Sequence, residues 1–186
     1  MKTETLVSEL DYLESQIQPD AQKAEYYAGQ TVAMAGASDT HVLIVTNLVF
    51  ELGLCLKKTP CRIYSSDRLL YVPACDSYFY PDLMLLCKPP ELRKRSPKVD
   101  ALLNPEVIIE VLSDSTRGND LSKKFHCYQT IPSLRQYVVV EQDIQRVDSF
   151  LRQENNDWLL RSFDDPESEI PIGQCKVPLA EIYDKV

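Results

Sequence analysis

The chain has 186 residues and a mass of 21.3 kDa, with 44% hydrophobic and 26% charged residues, which fits one globular domain able to bury a core without disulfide or metal staples. Twenty basic side chains stand against 28 acidic ones, giving a net charge of −8 and a pI of about 4.8. That balance excludes a nucleic-acid coat held on by overall charge, though not a local basic surface.

Residues 1–24 read as an N-terminal amphipathic helix and connector, with Leu6, Leu10, Leu13 and Ile17 at helical spacing before Pro19. The opening MKTETLVSELDYLES is acidic and has no apolar signal core, so a cytoplasmic location is expected. Residues 26–34 read as a strand with a turn at Ala28–Gly29. GASDTH follows as a loop whose Ser38, Asp39 or Thr40 can cap the next helix. That helix runs to about Lys57 with an apolar stripe of Ile44, Val45, Leu48, Leu52 and Cys55, and His41 falls in register with the stripe. Val42 to Leu56 is the longest apolar stretch, but Thr46, Asn47 and Glu51 interrupt it. No run approaches the about 20 apolar residues of a membrane span.

Residues 61–72 read as a strand or bent strand pair, and 80–87 as a short apolar strand opened by Pro81. Residues 88–99, KPPELRKRSPKV, form a loop carrying Lys88, Arg93, Lys94, Arg95 and Lys98 against Glu91 alone. Its charge of +4 leaves −12 for the rest of the chain. Residues 105–113 are the most strand-like segment, apolar on both faces except at Glu110. A turn follows, in which Ser113-Asp114-Ser115-Thr116 supplies capping chemistry, then a helix over 120–130 stopped before Pro132. Residues 136–143 read as another strand and 145–163 as a hairpin around Glu154-Asn155-Asn156. The class is therefore mixed α/β, a single domain over 1–186, with central strands buried between covering helices. The six cysteines are scattered without a CxxC pair. Reduced thiols are the expected state rather than zinc ligands or a disulfide framework.

Four features carry chemistry. Glu110 is a carboxylate inside an aliphatic strand, which costs several kcal/mol unless it is paired or bound to metal. Asp82 follows Pro81 at the start of another strand, so the two acids converge if their strands are neighbours. Two convergent carboxylates with water make a hard oxygen site suited to Mg²⁺ or Mn²⁺. Asp120, Lys124 and Tyr128 lie at i, i+4 and i+8 on one helix face, where a lysine can orient or deprotonate water, or stabilise a pentavalent transition state. His41 faces inward from its own helix. No Gly-rich phosphate cradle, GxSxG element or Cys/His nucleophile arrangement is present.

Taken together, YYAGQTVAMAGASDTH at 26–41, Pro81-Asp82, PEVIIEVLSDSTRGND at 105–120 and the Asp120-x3-Lys124-x3-Tyr128 row resemble the Uma-type endonuclease family of the PD-(D/E)XK, restriction-endonuclease-like superfamily. The order of elements over 39–143 matches the superfamily core, and the resemblance spans about residues 20–183. It implies a restriction-endonuclease-like fold and Mg²⁺- or Mn²⁺-dependent cleavage of DNA. It further implies Asp82, Glu110 and the Val111 backbone carbonyl as metal ligands. Leu112 stands where the superfamily motif has its lysine, and the resemblance points to Lys124, rather than Lys123, as the relocated group. His41, Asp120 and Tyr128 would support the site, and Lys88, Arg93, Lys94, Arg95 and Lys98 would hang over it and contact phosphates.

Plainer readings stand beside these. Glu110 could be a buried ion-pair partner of Lys124 or Arg117, Asp120–Lys124 an ordinary surface pair, Tyr128 a packing residue and the basic loop a solvated excursion. Two functional alternatives remain open at this level. One is a binding module that has lost turnover. The other is a homodimeric structural or regulatory protein associating through the 145–163 hairpin, and a dimer also suits a nuclease that cuts two strands.

Overall fold

In the computed structural model, the residues described are 6–95, 98–113 and 117–186. The elements run in the order α1 (Glu9–Ser15), β1 (Ala24–Tyr27), β2 (Gln30–Ala33), α2 (Asp39–Leu56), β3 (Arg62–Ser65), β4 (Leu70–Val72), β5 (Ser77–Phe79), β6 (Leu83–Leu86), β7 (Leu92–Lys94), β8 (Asp100–Leu102), β9 (Val107–Leu112), α3 (Arg117–Asn119), a π-helical turn (Asp120–Lys124), α4 (Phe125–Tyr128), β10 (Gln136–Glu141), β11 (Val147–Arg152), β12 (Trp158–Phe163), β13 (Glu169–Ile172), β14 (Cys175–Pro178) and α5 (Leu179–Ile182). The class is mixed α/β, as expected, but the strands form two six-stranded mixed sheets rather than one. The first has the order β2-β1-β5-β4-β8-β7 and the second β12-β11-β10-β9-β6-β3, while β13 and β14 form a separate hairpin.

The second sheet holds the core of the molecule. Its β9 and β10 are parallel, and β6 pairs antiparallel with both β9 and β3. Side-chain alternation splits it into two apolar layers. Leu83, Leu85, Val107, Ile109 and Val111 pack on the side of α2, β13, β14 and α5. Met84, Leu86, Ile108 and Leu112 pack with Leu70, Val72 and Phe79 of the first sheet and with Tyr128 of α4. Both faces are thus covered, which is why these strands read as continuous aliphatic runs. One cover is a sheet, where a helix was expected.

Ser38 caps α2 by accepting the His41 N–H at 3.1 Å, and Ile44, Leu48, Leu52 and Leu56 form its buried stripe, with Leu56 taking the place expected for Cys55. Val42, Phe50 and Leu54 of the same helix are exposed. Among the described residues α2 is the one helix long and apolar enough to cross a membrane by length and composition, which the interruption at Thr46, Asn47 and Glu51 had argued against. At α1 the buried pair is Tyr12 and Leu13, whereas Leu6 and Leu10 of the expected stripe are exposed.

The cysteines correct the sequence reading. All six are paired, as Cys55–Cys175, Cys61–Cys87 and Cys75–Cys127. Their partners are brought together only by the tertiary fold, so spacing along the chain gave no hint of them. The expected capping chemistry at Asp114, Ser115 and Thr116 lies outside the described residues.

Candidate functional site

The site begins where the chain crosses from β5 of the first sheet to β6 of the second, through Tyr80-Pro81-Asp82. The register Leu83↔Ile109 between β6 and β9 places Asp82 opposite Glu110, and matching parity puts both on the face that meets the first sheet. The contacts confirm the juxtaposition. Asp82 N–H donates to Glu110 Oε2 at 3.3 Å, and Asp82 Oδ2 accepts the Val111 N–H at 2.8 Å. Val111 therefore reaches the site through its backbone, with its N–H engaged by Asp82. Both carboxylates are buried, and His41 Nε2 lies 3.1 Å from Asp82 Oδ1. That hydrogen bond raises the His41 pKa against the opposing effect of burial.

The helix after β9 supplies the next group. It starts at Arg117, earlier than the sequence suggested, and its middle widens into a π-helical turn in which Phe125 N–H donates to Asp120 O. Such turns are frequent at functional sites. Lys124 is buried, with Nζ 3.4 Å from Glu110 Oε1 and 3.1 Å from Asp120 Oδ1. The Asp120 contact is an ion pair without hydrogen-bond geometry, so Asp120 Oδ1 is buried and otherwise unpartnered. Tyr128 OH donates to Glu110 Oε1 at 2.8 Å. Leu112, at the usual lysine position, is buried in the apolar layer beside Tyr128, while Lys124 reaches the carboxylate from the helix. Lys123 is exposed.

One residue was not anticipated. Glu25 of β1 is buried, and its Oε1 lies 2.8 Å from Lys124 Nζ, the shortest of the three ion-pair contacts of that ammonium. Four carboxylates, Glu25, Asp82, Glu110 and Asp120, therefore share one lysine and one histidine. Burial pushes the Glu110 pKa well up; Lys124 opposes this, and Asp82, Asp120 and Glu25 add to it. Burial disfavours the Lys124 charge, but Glu110, Glu25 and Asp120 outweigh it and hold the group as an ammonium. The site lies at the floor of a cleft of about 1080 Å³, with Lys23 and Lys123 on its walls.

A family model described as "Uma2: Putative restriction endonuclease" matches residues 9–175. The chain belongs to the Uma2 family. Two uncharacterized proteins of Synechocystis sp. are similar to it. One is 33% identical over 94% of this chain and 97% of its own length, the other 29% identical over 76% and 73%. The fold is shared with a crystal structure described as a putative nuclease belonging to DUF820 from Anabaena variabilis, at a TM-score of 0.73 and 16% identity, covering 95% of this chain and 97% of that one.

Within this Uma2 chain, Asp82, Glu110, Val111, Lys124, His41, Asp120 and Tyr128 come together as the sequence suggested, whereas the basic stretch does not. None of Lys88, Arg93, Lys94, Arg95 and Lys98 lines the cleft. Arg93 donates to Glu9 Oε1 from Nη2 at 2.6 Å and from Nε at 2.8 Å, and its guanidinium lies 3.9 Å from the Tyr71 ring centroid. Arg95 Nε donates to Glu9 Oε2 at 3.1 Å. The reason is strand pairing: β7 joins β8 at the far edge of the first sheet and carries these cations away from the crossover. Lys88, Lys94 and Lys98 are exposed. Glu25 was overlooked because it falls between the connector read over 1–24 and the strand read from Tyr26, whereas β1 begins at Ala24, and its partner Lys124 lies far along the chain.

Proposed function

We propose that this protein is a metal-dependent endonuclease that hydrolyses DNA phosphodiester bonds. The observation that carries the reading is the pair Asp82–Glu110, side by side across β6 and β9 at the floor of a cleft, with more buried carboxylate than Lys124 can neutralise. The donor set suits a divalent cation, since both acids are hard oxygen donors and the uncompensated charge already burdens Glu110. Among the described residues no three His, Cys, Asp or Glu side chains form a ready-made cage. Mg²⁺ needs none, because one or two carboxylates with water and substrate oxygens usually hold it. Asp82 and Glu110 would hold Mg²⁺ or Mn²⁺, with the Val111 carbonyl as an added oxygen. When bound, the ion supplies an activated water and neutralises phosphate charge.

The chain's own groups do the positioning. Tyr128 fixes one oxygen of Glu110, and the Val111 N–H fixes one oxygen of Asp82. His41 orients the other Asp82 oxygen. Lys124 brings positive charge next to Glu110, where it would stabilise the pentavalent phosphorane. On the cleft walls, the exposed Lys123, together with Lys23, would meet DNA phosphates. Purified protein is expected to nick or cut plasmid DNA with Mg²⁺ or Mn²⁺ and not in EDTA. A chain inert with both ions would refute the reading. The edge strand β12, with exposed Leu159 and Leu160, would pair two copies, and light scattering over a concentration series checks that dimer.

A further inference from the structure

We propose that Glu25 is a positioning residue that sets Lys124 for the reaction, held by hydrogen bonds along Asn119–Tyr27–Glu25 and joined to Lys124 by an ion pair. This rests on the endonuclease reading of the site.

Lys124 Nζ stands on three carboxylates. Asp120 belongs to its own helix and Glu110 to the second sheet; only Glu25 comes from the first sheet. The third support therefore fixes the ammonium relative to both sheets at once. Every oxygen of Glu25 is engaged. Oε1 takes Lys124 at 2.8 Å and the Tyr80 N–H at 3.4 Å, and Oε2 takes the Tyr27 hydroxyl at 2.8 Å. The Tyr27 oxygen in turn accepts from Asn119 Nδ2 at 2.6 Å. Asn119 immediately precedes the π-helical turn that carries Lys124, so the chain of contacts closes on the same helix it began with.

The crossover is held by the same group. Tyr80 and Asp82 give their N–H groups to Glu25 and Glu110 respectively, and Pro81 between them has none to give. Glu25 thus bonds both the lysine and the segment that delivers Asp82. A buried charge costs several kcal/mol unless well paired, and the Glu25 carboxylate is paired with the ammonium of Lys124. A displacement of about 1 Å in a group beside the reacting phosphate costs about 10²-fold in rate.

The test compares wild type with Glu25→Gln, Tyr27→Phe, Lys124→Met and the double variant Glu25→Gln/Lys124→Met. Each is assayed for Mn²⁺-dependent plasmid cleavage and, by calorimetry, for Mn²⁺ binding. Glu25→Gln is expected to lower kcat about 10²-fold with KM for DNA within about 2-fold and Mn²⁺ affinity unchanged. In the Lys124→Met background the same change should cost nothing further, because the two residues act as one unit. Should Glu25→Gln fail to fold, Tyr27→Phe carries the test with a smaller kcat loss of about 3- to 10-fold, since its ring still packs on Phe79. A wild-type rate in either glutamine or phenylalanine variant, or losses that multiply in the double variant, overturns the proposal while leaving the endonuclease reading standing. A wild-type chain that cuts no DNA removes both.

Discussion

Two acid clusters in this molecule, one part-exposed and one buried, behave in opposite ways. At Glu9, one carboxylate is surrounded by donors: Tyr78, Arg93 and Arg95 all bond to it. Burial works against its charge, but those bonds outweigh it and lower its pKa. At Glu110, burial pushes the pKa well up against the opposing Lys124, and the neighbouring Asp82, Asp120 and Glu25 add to the rise. The first cluster sets one carboxylate against two guanidiniums and ties α1 to the first sheet. The second sets four carboxylates against Lys124 and His41. A surplus of donors in the one, and burial with a surplus of acids in the other, separate the fastening from the candidate site.

The comparison can be broken most sharply at the paired carboxylates Asp82 and Glu110. Asp82→Ala and Glu110→Ala should each lower cleavage by about 10³-fold or more, the several kcal/mol that charge stabilisation at phosphorus is worth. Glu110→Gln should do the same and lower stability by about 1–3 kcal/mol, because it keeps the acceptor for Tyr128 but turns an amide N–H toward the Asp82 N–H. Thermal melts beside a plasmid assay read both outcomes. The Cys75–Cys127 disulfide ties the turn before β5 to the helix bearing Lys124. Replacing both cysteines with serine should cost about 2–4 kcal/mol in guanidinium unfolding.

Glu9→Gln should cost less, about 1 kcal/mol, with cleavage unaffected, since the cluster is partly exposed and screened. Its pH dependence has a definite sign. The folded pKa lies below the usual 4.5, so the stabilisation is complete above that pH and is lost as pH falls through the folded value. The Tm gap between wild type and Glu9→Gln should therefore close in acid; a gap that widens there would refute the assignment. Smallest of all, Lys123→Ala should reduce the salt slope of DNA binding by about 1, whereas Lys94→Ala, at the far edge, should leave it unchanged.

How much of this was legible depended on local contrast. Glu110 stood out against Val107, Ile108, Ile109 and Val111, and its partner strand was marked by Pro81, so the convergence of the two carboxylates could be read from one sequence. The lysine followed from its row with Asp120 and Tyr128. The first sheet was legible only in part: the strand and turn over 26–34 correspond to β1 and β2, but most of its strands are three or four residues long and show no usable period, and their assembly into a second sheet was not readable. Glu25 fell just outside the strand read from the sequence. The basic stretch misled for a related reason: its composition suggested phosphate contacts, while its place was decided by pairing between β7 and β8, which charge does not encode. The cysteine pairs depend wholly on distant contacts.

The segment Tyr80-Pro81-Asp82 also sets a rule on spacing. Asp82 shares a face with Glu110 because it lies two residues before Met84, on a strand whose register the pairs Leu83↔Ile109 and Met84↔Ile108 fix. A slip of one residue would turn the aspartate toward the α2 layer and feed Leu83 into the cleft, so relatives that keep this carboxylate pair should hold the aspartate's spacing from the β6 core residues constant.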